Sequence, residues 1–229
     1  ENIHEKFPNF LSRICKHNNV KQFIHVSALG IEKAKDSLYA KSKLNGEVLV
    51  RNNFKAANIL RPSVVYSVDD NFTTNFMNIL SLSPIFPLYY NGSTLFRPIY
   101  VNDLTEIIYQ VIFRELKSET IECIGPEEIS LKEILKKLLK LIKKKRILIP
   151  VPLFFAKFST FFLEKFPKPL ITYDQLKLLK YSNVPSGTNK TNFDLDMPCR
   201  ANFENEVEKY SYMWRDGGQF SKLDNQKDN

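Results

Sequence analysis

Three side chains near the start of the chain are suited to moving a proton: the hydroxyl of Ser27, the phenol of Tyr39 and the ammonium of Lys43. Tyr39 and Lys43 stand four positions apart, so on a helix they share one face, about 5–6 Å apart at Cβ. A cation beside a phenol favours its ionised form and brings a group with a free pKa of about 10 toward neutrality. Such a set can give a proton to, or take one from, a carbonyl or an alcohol. Tyr-x-x-x-Lys alone is a weak signal in a chain with 10 tyrosines, and an ordinary surface helix is the plain alternative.

The surrounding elements give the three residues a frame. Phe23, Ile24 and Val26 form an apolar, β-branched run that reads as a buried parallel strand, with Ser27 at its carboxyl end and Gly30 beyond. The Tyr39–Lys43 helix continues through Glu47 to Arg51, and a second strand follows in Ile59 to Tyr66. Pro62 lies inside that strand and removes a backbone donor, so the ladder bends or ends there. Its neighbour Arg61 reads either as one half of a structural ion pair or as a functional cation. Upstream, Phe10, Leu11 and Ile14 give a crossover helix an apolar face.

Downstream, Asp69-Asp70-Asn71 reads as the cap of a helix over Phe72–Leu82, and Asn91-Gly92 as a hairpin turn. Asn102-Asp103 looks like the N-cap of a helix over Leu104–Arg114, and Thr120 to Gly125 like a strand. From Pro126 the β/α alternation gives way to helix. Ser130 and Glu133 stand at capping-box distance, and Leu131, Ile134, Leu135, Leu138, Leu139 and Ile142 recur at helical spacing behind them. Between Lys132 and Arg146 eight basic residues face one Glu, so most of the net charge of +8 sits on this helix. Its outer face is a solvated surface, a docking surface for anionic lipid or an acidic protein, or a nucleic-acid surface. No nucleic-acid-reading motif supports the last of these. Phe154, Phe155, Phe158, Phe161, Phe162 and Phe166 crowd a following helix too short to span a bilayer. The tail from Phe220 is polar.

Composition narrows the class. With 43% apolar residues in 229, the chain has material for one sizeable core or a core plus a small lobe. Cys15, Cys123 and Cys199 are odd in number and widely spaced, which argues against a disulfide framework and a zinc site. A dinucleotide fold begins with a strand and a Gly-rich turn. The seven glycines, at 30, 46, 92, 125, 187, 217 and 218, make no such turn. The expectation is an α/β fold: a partial Rossmann-type parallel sheet with flanking helices, its N-terminal strands missing, plus a smaller, mainly helical C-terminal lobe. The divisions expected are 1–125, 126–219 and a flexible tail over 220–229. A sheet lacking its first strands exposes an apolar edge.

The order Ser27, Tyr39, Lys43, followed by ILRPSVVYS, resembles the extended, epimerase-like branch of the short-chain dehydrogenase/reductase superfamily. A narrower resemblance is carried by FIHVSAL, YAKSKLNGE, FRPIYVNDL, ILIPVPLFFAKF and PLITYDQLKLLKYSNV, and points to the alpha-subcomplex subunit nine family of respiratory complex I. That likeness implies a structural subunit holding NADPH, or NAD in the wider superfamily, with complex I subunits as partners. By carry-over Ser27, Tyr39 and Lys43 form the catalytic set and touch the nicotinamide ribose region, while Pro62, Ser63 and Val65 touch the nicotinamide. The resemblance gives residues 131–166 a role against an anionic membrane surface. It implies a peripheral position on the cytoplasmic face of a bacterial inner membrane, or on the matrix side of a mitochondrial one. An active NAD(P)-dependent epimerase, dehydratase or dehydrogenase stays open as the alternative.

Overall fold

The computed structural model describes residues 2–152 and 172–220. Its centre is a parallel sheet of β1 (Ile24–Val26), β2 (Asn58–Pro62), β7 (Thr120–Cys123) and β10 (Lys190–Thr191), in that order. Every residue of β2 is buried, as a middle strand covered on both faces requires. The break expected at Pro62 occurs: β2 ends there, and β3 (Val65–Tyr66) leaves to pair in parallel with β6 (Ile99–Tyr100).

Helices α1 (Phe7–His17) and α2 (Leu38–Asn53) pack on one another, but not through the stripe that periodicity suggested. Phe10, Leu11 and Ile14 are exposed, while Pro8 and Ser12 are buried. The contact is made by small and polar groups instead: Asn53 Nδ2 donates to Asn9 Oδ1 at 2.7 Å and to Ser12 Oγ at 3.0 Å. Gly46 lets the backbone come close, since a Cβ there would stand 2.0 Å from the carbonyl oxygen of His4.

Beyond β3, α3 (Thr73–Leu82) starts where Asp70 Oδ1 accepts the amides of Phe72 and Thr74. The hairpin expected at Asn91-Gly92 does not form. β4 (Ile85–Tyr89) pairs in parallel with β9 (Ile147–Val151), and β5 (Leu95–Phe96) pairs antiparallel with β8 (Ile129–Ser130). Tyr90, Asn91 and Gly92 all have positive φ, so the turn is real but sends the chain away from β4. Asp103 is likewise not a cap; it lies inside α4 (Val101–Phe113) and accepts the Ala201 amide at 3.1 Å.

The basic helix forms as expected in α5 (Leu131–Leu141), capping box included, and its six apolar positions are buried. They join a core with Tyr66, Met77, Leu80, Phe203, Val207 and Trp214. Several cations are used internally: Lys137 pairs with Glu127 and Glu204, Lys140 with Glu204, and Lys144 with Asp216. Arg146 donates to the carbonyls of Leu80 and Ser81. The Phe154–Phe166 stretch and the tail after Phe220 lie outside the described residues. The chain ends its described course through α6 (Tyr173–Leu178) and α7 (Phe203–Ser211). No helix among the described residues is long and apolar enough to cross a membrane.

Candidate functional site

Parallel strands in one sheet end on one side, and that is where the chemistry-bearing residues gather. Ser27 follows β1 directly; its amide donates to the Leu60 carbonyl at 2.7 Å, which locks it to the neighbouring strand. Its hydroxyl is buried with no hydrogen-bond partner among the described residues. Tyr39 is the second residue of α2 and Lys43 lies one turn on. Pro62, Ser63 and Val65 follow at the end of β2, where the Pro62 carbonyl accepts from the Leu29 amide at 2.9 Å.

Ser27, Tyr39, Pro62, Ser63 and Val65 line one cleft of about 430 Å³. Lys43 does not line it. Its ammonium lies behind, donating to the Val26 carbonyl at 3.2 Å, and faces a second cavity of about 300 Å³ with His4 and His25. The His4 ring stands edge-on to Tyr39, centroids 5.3 Å apart, and its Nδ1 is 3.0 Å from Ser42 Oγ.

Electrostatics here differ from the expectation for a cation beside a phenol. Burial pushes the Tyr39 phenol up rather than down. Burial also lowers Lys43, opposed by the Glu47 carboxylate one turn further along α2. The ammonium is engaged with a backbone carbonyl instead of stabilising tyrosinate.

Glu47 in turn is held by Arg61. The guanidinium donates Nε to one Glu47 oxygen at 2.9 Å and a terminal nitrogen to the other at 2.6 Å, and pairs with Glu32 as well. Burial alone would lower the Arg61 pKa, but the two carboxylates raise it. Of the two readings of Arg61, the geometry gives the ion pair, which staples α2 to β2 behind the cleft.

Two further residues shape the site and were not singled out from sequence. Asp174 accepts the Ser37 hydroxyl at 2.7 Å and the amides of Leu38 and Tyr39 at 2.8 and 3.0 Å. Asn183 Oδ1 accepts from Ser63 Oγ at 2.5 Å and from the Val64 amide at 3.1 Å, while its Nδ2 donates to the Leu29 carbonyl at 2.8 Å. Both lie in the PLITYDQLKLLKYSNV motif, whose specificity was the available signal.

Comparison with known proteins agrees with this architecture. The RmlD substrate binding domain family matches residues 32–152. NADH dehydrogenase [ubiquinone] 1 alpha subcomplex subunit 9, mitochondrial, from Mus musculus is 29% identical over 188 residues, covering 80% of this chain and 49% of the mouse protein. The protein of that name from Dictyostelium discoideum is 26% identical over 211 residues, covering 90% of this chain and 59% of its own length. This chain thus spans about half the length of the mouse relative. Among solved structures, dTDP-glucose 4,6-dehydratase from Streptomyces venezuelae with NAD bound superposes with a TM-score of 0.63 at 16% identity, over 96% of this chain and 68% of that one. That likeness shows the fold, a Rossmann-type parallel sheet.

Proposed function

The chain belongs to the RmlD substrate binding domain family, and from that membership we propose that it is an NAD(P)H-holding accessory subunit of respiratory complex I. The observation that carries this reading is the likeness to alpha subcomplex subunit 9 across 80% of the chain. A bound nicotinamide dinucleotide supplies hydride chemistry. The residues here that would hold it are Ser27 and Tyr39 toward the ribose and Pro62, Ser63 and Val65 beside the nicotinamide, with Lys43, the third residue expected at the ribose, bracing the cleft from behind through the Val26 carbonyl. A buried Ser27 hydroxyl without a partner among the described residues supports a ligand at that point, because such a group is costly to leave unpaired.

The raised Tyr39 phenol and the occupied Lys43 ammonium favour a seat over an acid–base centre. NADPH is the form proposed, following the subunit nine resemblance. Complex I subunits are the proposed partners, and the matrix side of the mitochondrial inner membrane the proposed location, in keeping with the relatives' names. A contact with anionic lipid is supported by Lys132, Lys136, Lys143 and Lys145, which form no ion pair among the described residues. Exposed Ile147 and Ile149 follow Lys145 along the chain, and exposed Ile85 pairs with Ile147, which adds an apolar surface. Purified complex I from the source organism, digested and read by mass spectrometry, tests the assignment; consistent absence of this chain would refute it.

A second reading, an active NAD(P)-dependent epimerase, dehydratase or dehydrogenase, is favoured by Ser27 and Tyr39 lining one cleft. Turnover unchanged by Tyr39→Phe in the full-length protein would remove Tyr39 from any such catalysis.

A further inference from the structure

One short stretch of chain ties the two walls of the cleft together. Asp174 holds the first turn of α2 through Ser37, Leu38 and Tyr39. Asn183, nine residues on, holds the ends of β1 and β2 through Leu29, Ser63 and Val64. Between these hooks, Leu178, Leu179, Tyr181 and Ser182 line the cleft. The stretch also rests on β5: Thr94 donates its hydroxyl to the Leu179 carbonyl, Leu95 its amide to Ser182 Oγ at 3.2 Å, and Asn183 its own amide to the Leu95 carbonyl at 2.7 Å. The walls so joined are the ones that carry Tyr39 on one side and Ser63 on the other.

The chemistry of each hook is specific. The amides of Leu38 and Tyr39 belong to the helix turn that has no intrahelical acceptors, and a carboxylate is the group best suited to take them. Asn183 uses acceptor and donor ends at once, which a carboxylate or an apolar side chain of the same size does not do.

We propose that residues 172–183 form a strap that opens and closes as one unit, coupling ligand occupancy of the cleft to docking on α2 through Asp174 and on the ends of β1 and β2 through Asn183. Both are positioning residues: Asp174 fixes the backbone of Tyr39, and Asn183 fixes that of Val64 and Leu29. A ligand in the cleft meets strap residues on one side and strand ends on the other, so it favours the closed arrangement. Reciprocally, whatever holds the strap down strengthens ligand binding by the same factor.

Residue-resolved amide hydrogen exchange on the whole protein tests this, with wild type, Asn183→Ala and Asp174→Asn compared. Without any nucleotide, Asn183→Ala is expected to speed exchange at Leu38 and Tyr39, the amides held by the opposite hook, as well as at Val64. Asp174→Asn is expected to speed Val64 in return, each by about tenfold, the scale of one or two lost hydrogen bonds. Effects confined to the amides that each altered side chain touches would overturn the proposal. Ile59, whose amide donates to the Glu119 carbonyl inside the sheet, is the reference; an equal rise there would signal general unfolding and would also count against a discrete strap.

The second arm rests on the nucleotide reading and uses NADPH. In the wild type NADPH is expected to slow Leu38, Tyr39 and Val64 together. If it slows none of them while the cross-effects of the variants persist, the nucleotide reading fails and the strap stands. Protection of Val64 alone by NADPH would overturn the coupling.

Discussion

Replacing Glu47 by alanine attacks the staple that holds α2 to the sheet. Glu47 and Arg61 are 5% and 7% exposed, and two N–H···O bonds of 2.9 and 2.6 Å join them. Removing one partner from a buried pair costs about 3–5 kcal/mol, because it leaves a desolvated charge without compensation. Glu32 still faces Arg61 in the variant, but its side chain is 36% exposed, so the cost falls at the lower end, about 3 kcal/mol. The measurement is the urea midpoint at unchanged m-value, converted to free energy. For a chain of this size each kcal/mol moves the melting temperature by about 2–4 °C, so a fall of roughly 6–12 °C accompanies it. The double variant Glu47→Ala/Arg61→Met is the control, and is expected to recover more than half the loss, since the uncompensated charge has gone. A single-variant loss under about 0.5 kcal/mol, the scale of a surface change, would refute this account. So would a double variant no more stable than the single one.

Asp174 gives a pH signature. Burial alone would raise its pKa, but the Tyr39 amide, the Ser37 hydroxyl and the Leu38 amide hold it below the usual carboxylate value. A depressed folded-state pKa contributes stability above the unfolded value of about 3.9 that is lost as pH falls through the folded one. Urea titrations across acid pH should therefore show a component of acid destabilisation that Asp174→Asn lacks. Leu138, fully buried in the core behind α5, is expected to cost about 2–5 kcal/mol as Leu138→Ala in thermal or urea unfolding. Gly46→Ala drives a methyl group into the His4 carbonyl, so residues 2–17 should lift from α2, seen as faster proteolysis there and a stability loss of about 1–3 kcal/mol.

Much of this arrangement is legible in the residues themselves, and the reasons differ by element. In α5 the helical period, the Ser130–Glu133 box and the apolar stripe all agree, so helix and buried face follow together. Pro62 marks the end of β2 because a missing donor acts locally. Ser27 and Tyr39 share a cleft because a strand end and a helix start are short-range features. Long-range pairings are the part that spacing leaves open. The outward face of α1 follows from what packs beneath it, and Asn9, Ser12, Asn53 and Gly46 make a small polar contact the better fit there. Asn91 and Gly92 turn as their types suggest, yet β9 rather than β5 takes the edge of β4. Asp174 and Asn183 act on residues more than a hundred positions away, and no periodicity carries that information.

The strand order β1-β2-β7-β10 has a consequence for how the protein is made. Ile59 pairs with Thr120 and Ile121 with Lys190, so the central ladder joins segments that leave the ribosome far apart in time. Parallel pairings at such separations close large loops before they return any contact energy, which puts folding in the slow, millisecond-to-second range and leaves apolar strands uncovered meanwhile. The cleft inherits this order of events. Ser27 and Tyr39 are synthesised well before Asn183, which braces the wall opposite. A nascent chain interrupted before residue 183 carries the chemistry-bearing residues without the brace, and leaves β7 without its β10 neighbour.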